Sequence, residues 1–327
     1  MILDNKTILV TGGTGSFGQK FIRTALNDYY PKAIRVFSRD ELKQWEMQRR
    51  FNRDPRLRFF IGDVRDKSRL DRALEGVDIV IHAAALKHVP VCEYNPFEAV
   101  KTNVLGAQNV INASLDNNVE KVIGISTDKA VNPVNLYGAT KMCMEKIFIA
   151  ANSYVGRRKN TKISCVRYGN VVGSRGSVVQ LFLKQKSSGK VTLTDKQMTR
   201  FWITIEQGVS FVIKSIKRMR GGEIFIPKLP SMSILDVAGV IAPKCSVEYI
   251  GIRAAEKIHE CLLTDEEARH GVEFPDYYVI LPQHPWWSKK YYGKAKTLAT
   301  DFKYASNSNR KWLSQKDLQK ILKDHLN

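Results

Sequence analysis

Near its N-terminus the chain reads Thr7-Ile8-Leu9-Val10-Thr11-Gly12-Gly13-Thr14-Gly15-Ser16-Phe17-Gly18. The β-branched start predicts a strand, and glycines at positions 12, 15 and 18 separate it from an amphipathic helix. Glycine there permits a tight turn, a close backbone approach to a pyrophosphate and close helix packing. The helix N-terminus adds free N–H donors and a positive dipole end. The stretch therefore predicts a dinucleotide-binding loop. Its expected contact residues are Gly12, Thr14, Gly15, Ser16, Phe17 and Gly18.

Downstream of this loop, short apolar runs alternate with helical patterns. The pattern predicts strands at 7–10, 33–37, 58–61, 78–81, 121–125 and 162–167, and helices at 18–27, 41–51, 68–74 and 103–117. Such alternation is typical of a Rossmann-type, doubly wound parallel α/β sheet with right-handed crossovers. Beyond about Gly176 the rhythm is irregular and prolines such as Pro227 mark loops. We therefore expect a dinucleotide-binding domain at 1–175 and a smaller, partly interleaved substrate-binding domain at 176–327.

The end of the second predicted strand bears on the choice between NAD and NADP. A carboxylate at this place accepts a hydrogen bond from the ribose 2′-hydroxyl, whereas an arginine accommodates a 2′-phosphate. The chain has Ser38-Arg39-Asp40-Glu41-Leu42-Lys43. Arg39 and Lys43 favour NADP, and Asp40 leaves NAD open as the alternative. After the third strand, Asp63 and Val64 are expected near the adenine, unless Asp63 is only a loop or capping carboxylate.

Two polar groups follow the fifth predicted strand. Ser126-Thr127-Asp128-Lys129 comes first, and Tyr137 and Lys141 stand four residues apart on the next helical stretch. That spacing places the phenol and the ammonium on one face of a helix. A neighbouring cation lowers the pKa of a phenol, which makes it usable as a base toward a substrate hydroxyl. We expect Tyr137 to be this base and Lys141 also to hold the nicotinamide ribose.

These motifs together resemble the extended short-chain dehydrogenase/reductase family. Within it, Thr127-Asp128-Lys129 is similar to the sugar-nucleotide 4,6-dehydratases, in which an acid and a base follow the threonine. Further similarity lies in Ala83-Ala84-Ala85-Leu86-Lys87-His88-Val89-Pro90, in the stretch from Arg167 to Gly176, and in Met198-Thr199-Arg200-Phe201-Trp202. The group that these stretches resemble acts on UDP-N-acetylglucosamine and inverts C5. The resemblance runs from Leu3 to about His259.

The resemblance implies a lyase reaction with bound NADP. Tyr137 would take the proton of the 4-hydroxyl as C4 gives up its hydride, Lys129 would remove the C5 proton, and Asp128 would protonate the departing C6 hydroxyl. Burial beside the cofactor and Lys141 is expected to lower the pKa of Lys129. The product would be UDP-2-acetamido-2,6-dideoxy-β-L-arabino-hex-4-ulose, the first intermediate of pseudaminic acid synthesis for flagellin or surface glycans. A C5-retaining dehydratase and a UDP-sugar 4-epimerase are the alternatives, although an epimerase has no use for Asp128 and Lys129.

The resemblance also implies binding positions outside the motifs above. Its further cofactor positions are Ala83, Ala84, Val171 and Arg175, and its substrate positions are Lys87, Asn170, Val179, Thr194, Arg200, Arg253 and Glu256. Arginine suits the diphosphate because its planar fork binds two oxygens. The chain departs from the family at Ala254-Ala255, where the family has Pro-Gly, and this puts the placement of Glu256 in doubt.

Composition and charge exclude several classes of protein. The 327 residues include 43% apolar residues, enough for a large core, and 52 Lys and Arg against 32 Asp and Glu give a net charge of +20. This excess of positive charge favours negatively charged partners, which are nucleic acid, membrane surfaces or phosphate-bearing small molecules. Lys289-Lys290-Tyr291-Tyr292 is the one basic and aromatic patch, and no run reaches the roughly 18 apolar residues of a membrane helix. We expect a phosphate-bearing substrate, with neither nucleic acid nor membrane.

Cysteine usage bears on the compartment. The five cysteines are scattered and form no C-x-x-C pair, which argues against a disulfide framework or a zinc site. The six histidines also lack metal-ligand spacing. We therefore expect a cytoplasmic protein without a metal. The resemblance implies a homo-oligomer, either a dimer through the helices beside the Tyr137 helix or a hexamer.

Overall fold

The structure is a computed structural model that describes residues 1–155, 160–173, 177–284, 287, 292–293 and 295–326. Its centre is a ten-stranded sheet. The strands of this sheet are β1 Thr7–Thr11, β2 Ala33–Ser38, β3 Leu57–Ile61, β4 Ile79–His82, β5 Lys121–Thr127, β6 Lys162–Tyr168, β10 Ile224–Pro227, β14 Gly271–Glu273, β15 Tyr277–Ile280 and β16 Lys296–Thr297. The shorter strands are β7 Asn170–Val171, β8 Lys190–Leu193, β9 Thr199–Ile203, β11 Ser231–Ser233, β12 Ser246–Tyr249, β13 Cys261–Leu263 and β17 Tyr304–Ala305.

Helices occupy the connections. They are α1 Ser16–Asp28, α2 Glu41–Arg50, α3 Lys67–Leu74, α4 Val89–Tyr94, α5 Pro96–Val100, α6 Gly106–Asp116, α7 Leu136–Ala150, α8 Val178–Gln185, α9 Ile205–Arg218, α10 Ile234–Ile241, α11 Asp265–Ala268 and α12 Gln315–Leu326. A π-helical turn, Lys101–Leu105, joins α5 to α6, and a 3-10 turn, Asp128–Ala130, follows β5. In the described part of the chain, no helix has the length and apolarity needed to cross a lipid bilayer.

The sheet confirms the predicted doubly wound α/β fold. Its order is β16-β14-β15-β10-β6-β5-β4-β1-β2-β3, and the run from β3 to β10 is parallel. Strand order reverses between β1 and β4, because β2 and β3 lie on one side of β1 and all later strands lie on the other. Ligands of open α/β sheets bind outside the carboxyl ends of the strands at such a reversal. The fold therefore places a ligand crevice after β1 and β4.

The central sheet continues well beyond the predicted sixth strand. β10 pairs in parallel with β6, although its last residue is a proline that reads as a loop signal. Pro227 fits because the pairing with β6 ends at Phe225, so no bond to β6 is lost at its missing N–H. β15 then pairs antiparallel with β10. The sheet thus takes strands from both sides of position 175, and α8 is a helix that the sequence pattern did not reveal.

Buried apolar side chains form two clusters. The larger surrounds the central sheet and includes Phe21 and Phe37 as well as Val212 and Phe225 from the C-terminal half. The smaller lies among α8, α10 and strands β8 and β9, with Val179 and Trp202 among its buried members. The first cluster supports the sheet and its crevice. The second gives the C-terminal half a separate, smaller core beside that crevice.

Candidate active site

A large cleft opens at the carboxyl ends of β1, β4 and β5. It has a volume of about 1070 Å³. Its walls include most of the residues predicted for the cofactor and the chemistry. Those residues are Gly12, Thr14, Gly15, Ser16, Phe17, Gly18, Ser38, Arg39, Lys43, Asp63, Val64, Ala83, Ala84, Lys87, Thr127, Lys129, Tyr137, Lys141, Asn170 and Val171. Predicted Arg175 lies outside the described residues.

The loop between β1 and α1 has the shape that a pyrophosphate requires. Gly12 has φ +66°, and a Cβ there would lie 2.9 Å from the Ala84 nitrogen. A Cβ on Gly18 would lie 2.6 Å from Gly13, so the helix can meet the loop only with glycine. The N-terminus of α1 receives no side-chain cap and has no acidic residue in its first turn. Its free N–H groups and positive dipole end therefore remain available to an anion in the cleft.

The adenosine end of the cleft is lined by charged side chains. Asp40 caps α2, accepting a 2.9 Å hydrogen bond from the Lys43 backbone N–H, and also pairs with the Lys43 ammonium. Arg39 stays 54% exposed with a nitrogen 3.6 Å from the Asp63 carboxylate. Asp63 in turn accepts hydrogen bonds from Arg65. Asp40, Arg39 and Lys43 all line this end of the cleft, and Arg39 is the most exposed of the three.

The chemical groups are brought together where β5 ends. Thr127 closes the strand, and the 3-10 turn sets Asp128 inward and Lys129 at the cleft wall. The next helix, α7, begins after Asn135, whose side chain accepts a 2.8 Å hydrogen bond from the Gly138 N–H. A Cβ on Gly138 would collide with the Lys129 carbonyl oxygen. This close packing brings Tyr137 beside the turn that carries Asp128 and Lys129.

The Lys129 ammonium is surrounded by three oxygens. Its Nζ lies 3.1 Å from Asp128 Oδ1, 3.2 Å from Glu260 Oε1 and 3.4 Å from Asn170 Oδ1. Thr127 also donates a 3.0 Å hydrogen bond to Asp128 Oδ1. Asp128 is fully buried, and its Oδ2 has no hydrogen-bond partner among the described residues. One carboxylate oxygen thus holds the lysine while the other remains unpaired.

The pKa directions of this cluster differ from the sequence expectation. Burial lowers the pKa of Lys129, but the carboxylates of Asp128 and Glu260 outweigh burial, so the net shift is upward. The predicted lowering is therefore wrong, because it considered neighbouring cations and not these two anions. Burial raises the pKa of Asp128, and the charge of Glu260 adds to that rise. A carboxyl group with a raised pKa is suited to donating a proton.

Tyr137 and Lys141 both line the cleft, but their electrostatics differ from the prediction. Burial raises the pKa of Tyr137 to about 12, and the cation that acts against this rise is Lys129 rather than Lys141. A hydrogen bond with Thr127 also lowers the Tyr137 pKa. Burial lowers the pKa of Lys141 to about 8, and its Nζ donates to the Met144 sulfur at 3.0 Å. In this structure, therefore, Lys129 and Thr127 are the groups that ease ionisation of the phenol.

The predicted substrate residues fall into two groups. Lys87 and Asn170 line the cleft, whereas Val179 is fully buried in the smaller apolar cluster, so its side chain cannot reach a substrate there. Thr194 is partly buried and contacts Met198. Arg200 is also buried, and its guanidinium donates to the carbonyl oxygens of Thr199, Ile258 and Lys257 at 2.7 to 2.8 Å. Arg200 thus holds the 257–258 backbone instead of extending freely toward a diphosphate.

The segment around the Ala254-Ala255 departure keeps a tight turn. Ala255 has φ +68°, the left-handed region that the glycine of the family would occupy without strain. Its carbonyl accepts a 3.0 Å hydrogen bond from the Asn135 side chain, which ties this turn to the start of α7. Arg253 is exposed, and Glu256 has a buried Oε2 without a hydrogen-bond partner in the described chain. The replacement therefore leaves the turn in place, with its strain carried by Ala255.

Two residues of the site escaped the sequence prediction. Glu260 stands beside Lys129 but reads in the sequence as a polar residue in front of the short apolar run of β13. Asn103, in the π-helical turn, bonds the backbone of Leu86 at 2.8 Å through both ends of its amide and donates to Thr140 Oγ1 at 3.0 Å. π-helical turns are frequent at functional sites, but no sequence signal marks them. In the described residues, no three His, Cys, Asp or Glu side chains converge on a metal position.

Comparison with known proteins agrees with this architecture. The profile of a family described as "Polysaccharide biosynthesis protein" matches residues 8–282. A UDP-N-acetylglucosamine 4,6-dehydratase (inverting) of Campylobacter jejuni is 51% identical over 98% of both chains. A UDP-glucose 4-epimerase of Rickettsia canadensis is 45% identical over 84% of this chain and 83% of its own.

A solved structure extends the similarity to three dimensions. The X-ray structure of Pen from Bacillus thuringiensis superposes with a TM-score of 0.90 at 38% identity, covering 100% of this chain and 99% of that one. The match therefore includes the strands of the C-terminal half that the sequence pattern did not show. From the family profile and these relatives, the chain belongs to the polysaccharide biosynthesis protein family of the short-chain dehydrogenase/reductase type.

Proposed function

We propose that this protein is a UDP-N-acetylglucosamine 4,6-dehydratase that inverts C5. The observation that carries the proposal is the buried Asp128 carboxyl in contact with Lys129 at the cleft wall, in the turn that packs against the start of the Tyr137 helix. A dehydration needs an acid for the departing hydroxyl and a base for the C5 proton, whereas a simple oxidation needs neither. The name and 51% identity of the Campylobacter jejuni relative support the same reaction and substrate.

We propose NADP as the resident cofactor. The glycine-lined loop and the uncapped start of α1 fit a pyrophosphate. Asp40 caps α2 and pairs with Lys43, so the more exposed Arg39 would face a ribose 2′-phosphate, with Lys43 beside it. When bound, NADP would accept a hydride from C4 and return it to C6. NAD remains the alternative that a cofactor titration distinguishes, because removing the Arg39 side chain should weaken binding of NADP more than binding of NAD.

The residues of the chain would supply the proton transfers. Tyr137, eased toward ionisation by Lys129 and Thr127, would take the proton from the 4-hydroxyl. The resulting 4-ketone acidifies C5–H, and Lys129 would take that proton in its neutral form. Asp128, whose pKa is raised by burial, would protonate the C6 hydroxyl so that it leaves as water. Lys141 would orient the cofactor from the same face of α7.

We further propose that residues 176–327 contribute the UDP-sugar side of the cleft and that the product enters pseudaminic acid synthesis. Lys87 and Asn170 would contact the sugar or phosphate from the dinucleotide-binding side. The exposed Arg253 and the unpartnered oxygen of Glu256 would contact the uridine or diphosphate.

We propose a homo-oligomer as the working assembly. Apolar side chains on the helices next to α7 stay exposed in the single chain, which is unusual for a monomer surface. Val91 is 51% exposed, Tyr94 86% and Phe97 62%. Sedimentation equilibrium of the purified protein measures the assembly, and a monomer would contradict the proposal.

Incubation with UDP-N-acetylglucosamine in deuterated water tests the reaction, with NMR as the readout. We expect a 4-keto-6-deoxy sugar that carries deuterium at an inverted C5. A deuterated but uninverted C5 would show a retaining dehydratase. Recovery of the 4-epimer would show a 4-epimerase, the type of reaction in the name of the Rickettsia canadensis relative, and unchanged substrate would contradict the proposal altogether.

A variant separates dehydration from oxidation. Lys129→Ala should still oxidise C4, though more slowly because Tyr137 loses the cation that eases its ionisation, but it should fail to eliminate water. Cofactor absorbance at 340 nm should therefore rise on mixing with substrate and stay high in the variant. Turnover near the wild-type rate would mean that Lys129 is not the base.

A further inference from the structure

One buried carboxylate behind the cleft wall has no place in the reaction described above. Glu260 directly precedes β13 and is 3% exposed. Its Oε1 lies 3.2 Å from Lys129 Nζ and 3.8 Å from Arg200 Nε, and its Oε2 lies 3.8 Å from Lys257 Nζ. The side chain thus sits among three cations, of which Lys129 is the nearest.

The surroundings of Glu260 argue against a purely structural role. Oε2 has no hydrogen-bond partner in the described part of the chain. A fold that needed only to fill this space would be served as well by an apolar residue, since burying a carboxylate costs several kcal/mol before its partners compensate. Its charged neighbours include Lys129, which reaches the cleft wall. Glu260 is therefore placed where its charge acts on Lys129, a residue of the cleft wall.

Glu260 completes a three-point support for the Lys129 ammonium. An ammonium has three N–H donors, and Lys129 Nζ has three acceptors within 3.4 Å, namely Asp128, Glu260 and Asn170. Each comes from a different part of the chain: the 3-10 turn, the segment before β13, and β7. A lysine side chain is long and flexible, so removal of one support would free its end.

We propose that Glu260 is a positioning residue for Lys129, which holds its Nζ at the cleft wall and keeps the amine protonated until the substrate binds. The proposal rests on the proposed role of Lys129 as the C5 base. Asp128 and Tyr137 face the same ammonium from the turn and from α7, and Arg200 and Lys257 face it from the side of Glu260.

The two proton transfers of the elimination step then balance between Lys129 and Asp128. Lys129 first passes a proton to Asp128 Oδ1 at 3.1 Å, which breaks an N–H bond, forms an O–H bond and gives a neutral amine beside a protonated acid. Elimination returns both: Lys129 gains the C5 proton, Asp128 gives its proton to the C6 hydroxyl, and the C6–O bond breaks to release water. Before this exchange Glu260 is ionised, because Lys129, Arg200 and Lys257 outweigh its burial and keep its pKa low.

Competitive acetylation of the whole protein tests the proposal without any substrate. Acetic anhydride labels only neutral amines, so mass spectrometry of the Lys129 peptide across pH reports when this lysine loses its proton. In Glu260→Gln, which keeps size but removes charge, we expect about tenfold more label on Lys129 at a fixed pH. The control is Glu273→Gln, a partly buried acid that pairs with Lys228 instead, and it should keep the wild-type profile.

Turnover measurements separate charge from geometry. Glu260→Gln should shift the pH dependence of kcat to lower pH while the KM for the sugar nucleotide stays unchanged. Glu260→Asp keeps the charge on a shorter side chain, so it should keep the wild-type labelling of Lys129 but lower kcat. It also provides the test of the proposal if Glu260→Gln does not fold.

Unchanged Lys129 labelling in Glu260→Gln would overturn the proposal, and so would wild-type kcat in Glu260→Asp. A protein that shows the labelling shift but leaves UDP-N-acetylglucosamine untouched would support the Glu260–Lys129 contact and contradict the proposed function. The two proposals can therefore fail separately.

Discussion

The phenol of Tyr137 combines a raised pKa with a position at the cleft wall. Its pKa of about 12 in the cofactor-free protein means that it is protonated at neutral pH and needs a charged neighbour in order to act as a base. Tyr137→Phe keeps the ring and removes only the hydroxyl, so we expect kcat to fall by roughly 10²-fold or more, as for loss of a general base. The KM for the sugar nucleotide should change little.

Steady-state kinetics with NMR detection of the product measures this loss. Tyr278→Phe removes another buried phenol from a position outside the cleft wall and should keep wild-type turnover. Equal kcat values for Tyr137→Phe and the wild type would remove Tyr137 from the reaction.

His82 shows how one buried residue can set the acid stability of the protein. Its Nδ1 is 2.9 Å from Thr11 Oγ1, and burial, helped by the charge of Lys141, lowers the pKa of its imidazole from 6.5 to about 3. Between those values the unfolded chain binds a proton that the folded protein does not. The free energy of unfolding should therefore fall as pH drops below 6.5, by about 1.4 kcal/mol per pH unit from this residue.

Urea unfolding of the wild type and of His82→Asn at several pH values checks this contribution. Asparagine can still bond Thr11 but does not titrate, so the loss of stability between pH 6.5 and pH 5 should be smaller in the variant. Above pH 7 the two proteins should have parallel profiles. Parallel profiles below pH 6.5 as well would contradict the assignment.

At the scale of the elements, the Ala254-Ala255 turn carries strain that the fold overcomes. Ala255 has φ +68°, which costs an L-residue with a Cβ about 1 kcal/mol or more. Ala255→Gly removes that strain but makes the unfolded chain more flexible, an opposing effect of about 0.5 kcal/mol. We expect a net gain of roughly 0.5 to 1 kcal/mol in the free energy of unfolding.

Chemical denaturation measures the gain, and Ala254→Gly is the matched control. Its backbone is outside the left-handed region, so glycine there should only destabilise the protein. If both glycine variants lose stability alike, Ala255 carries no strain. The hydrogen bond from Asn135 to the Ala255 carbonyl is the contact that would hold the strained turn in the native protein.

The elements that were predictable from the sequence are those whose signals are local. The spacing of the glycines predicts the loop between β1 and α1, and the four-residue separation of Tyr137 and Lys141 indicates the helix α7. β10 was not predicted, because a proline such as Pro227 interrupts a strand pattern that is judged from neighbouring residues alone. The fold accommodates Pro227 because the pairing of β10 with β6 stops before it. The π-helical turn with Asn103 was not predicted either, since the hydrogen-bond partners of the Asn103 amide, Leu86 and Thr140, lie far from it in the sequence.

For the whole molecule, the limit of prediction is set by charge pairing across long sequence distances. The sequence suggested a lowered pKa for Lys129 because the cations near it in the motif were visible. Glu260, which helps reverse the direction, comes from a segment far along the chain. Arg200 likewise reads as a phosphate ligand, although in the fold its guanidinium bonds backbone carbonyls of that same segment. Such roles follow only from the tertiary contacts.

Arg167 is the largest of these long-range connections. It is buried in β6, and its guanidinium bonds Glu145 of α7 at 2.6 and 2.9 Å and Glu267 of α11 at 2.9 and 3.0 Å. It also donates to the Leu262 carbonyl oxygen in β13 at 2.9 Å. The Arg167 side chain therefore links the central sheet to α7, which carries Tyr137, and to the segment that follows Glu260.

Removal of this connection should affect the whole molecule. Arg167→Met leaves the buried Glu145 and the partly buried Glu267 without their cation, and we expect a loss of about 3 to 5 kcal/mol in the free energy of unfolding at pH 7. Replacement of both acids as well, in Arg167→Met with Glu145→Leu and Glu267→Leu, should recover most of that loss, because no charge then remains buried. Urea unfolding of the three proteins measures both effects.

If the single variant stays within about 1 kcal/mol of the wild type, the range of an exposed ion pair, the network does not hold the two halves together. A triple variant that is stable but slow in turnover would show that the charges serve mainly to orient α7 and the Glu260 segment.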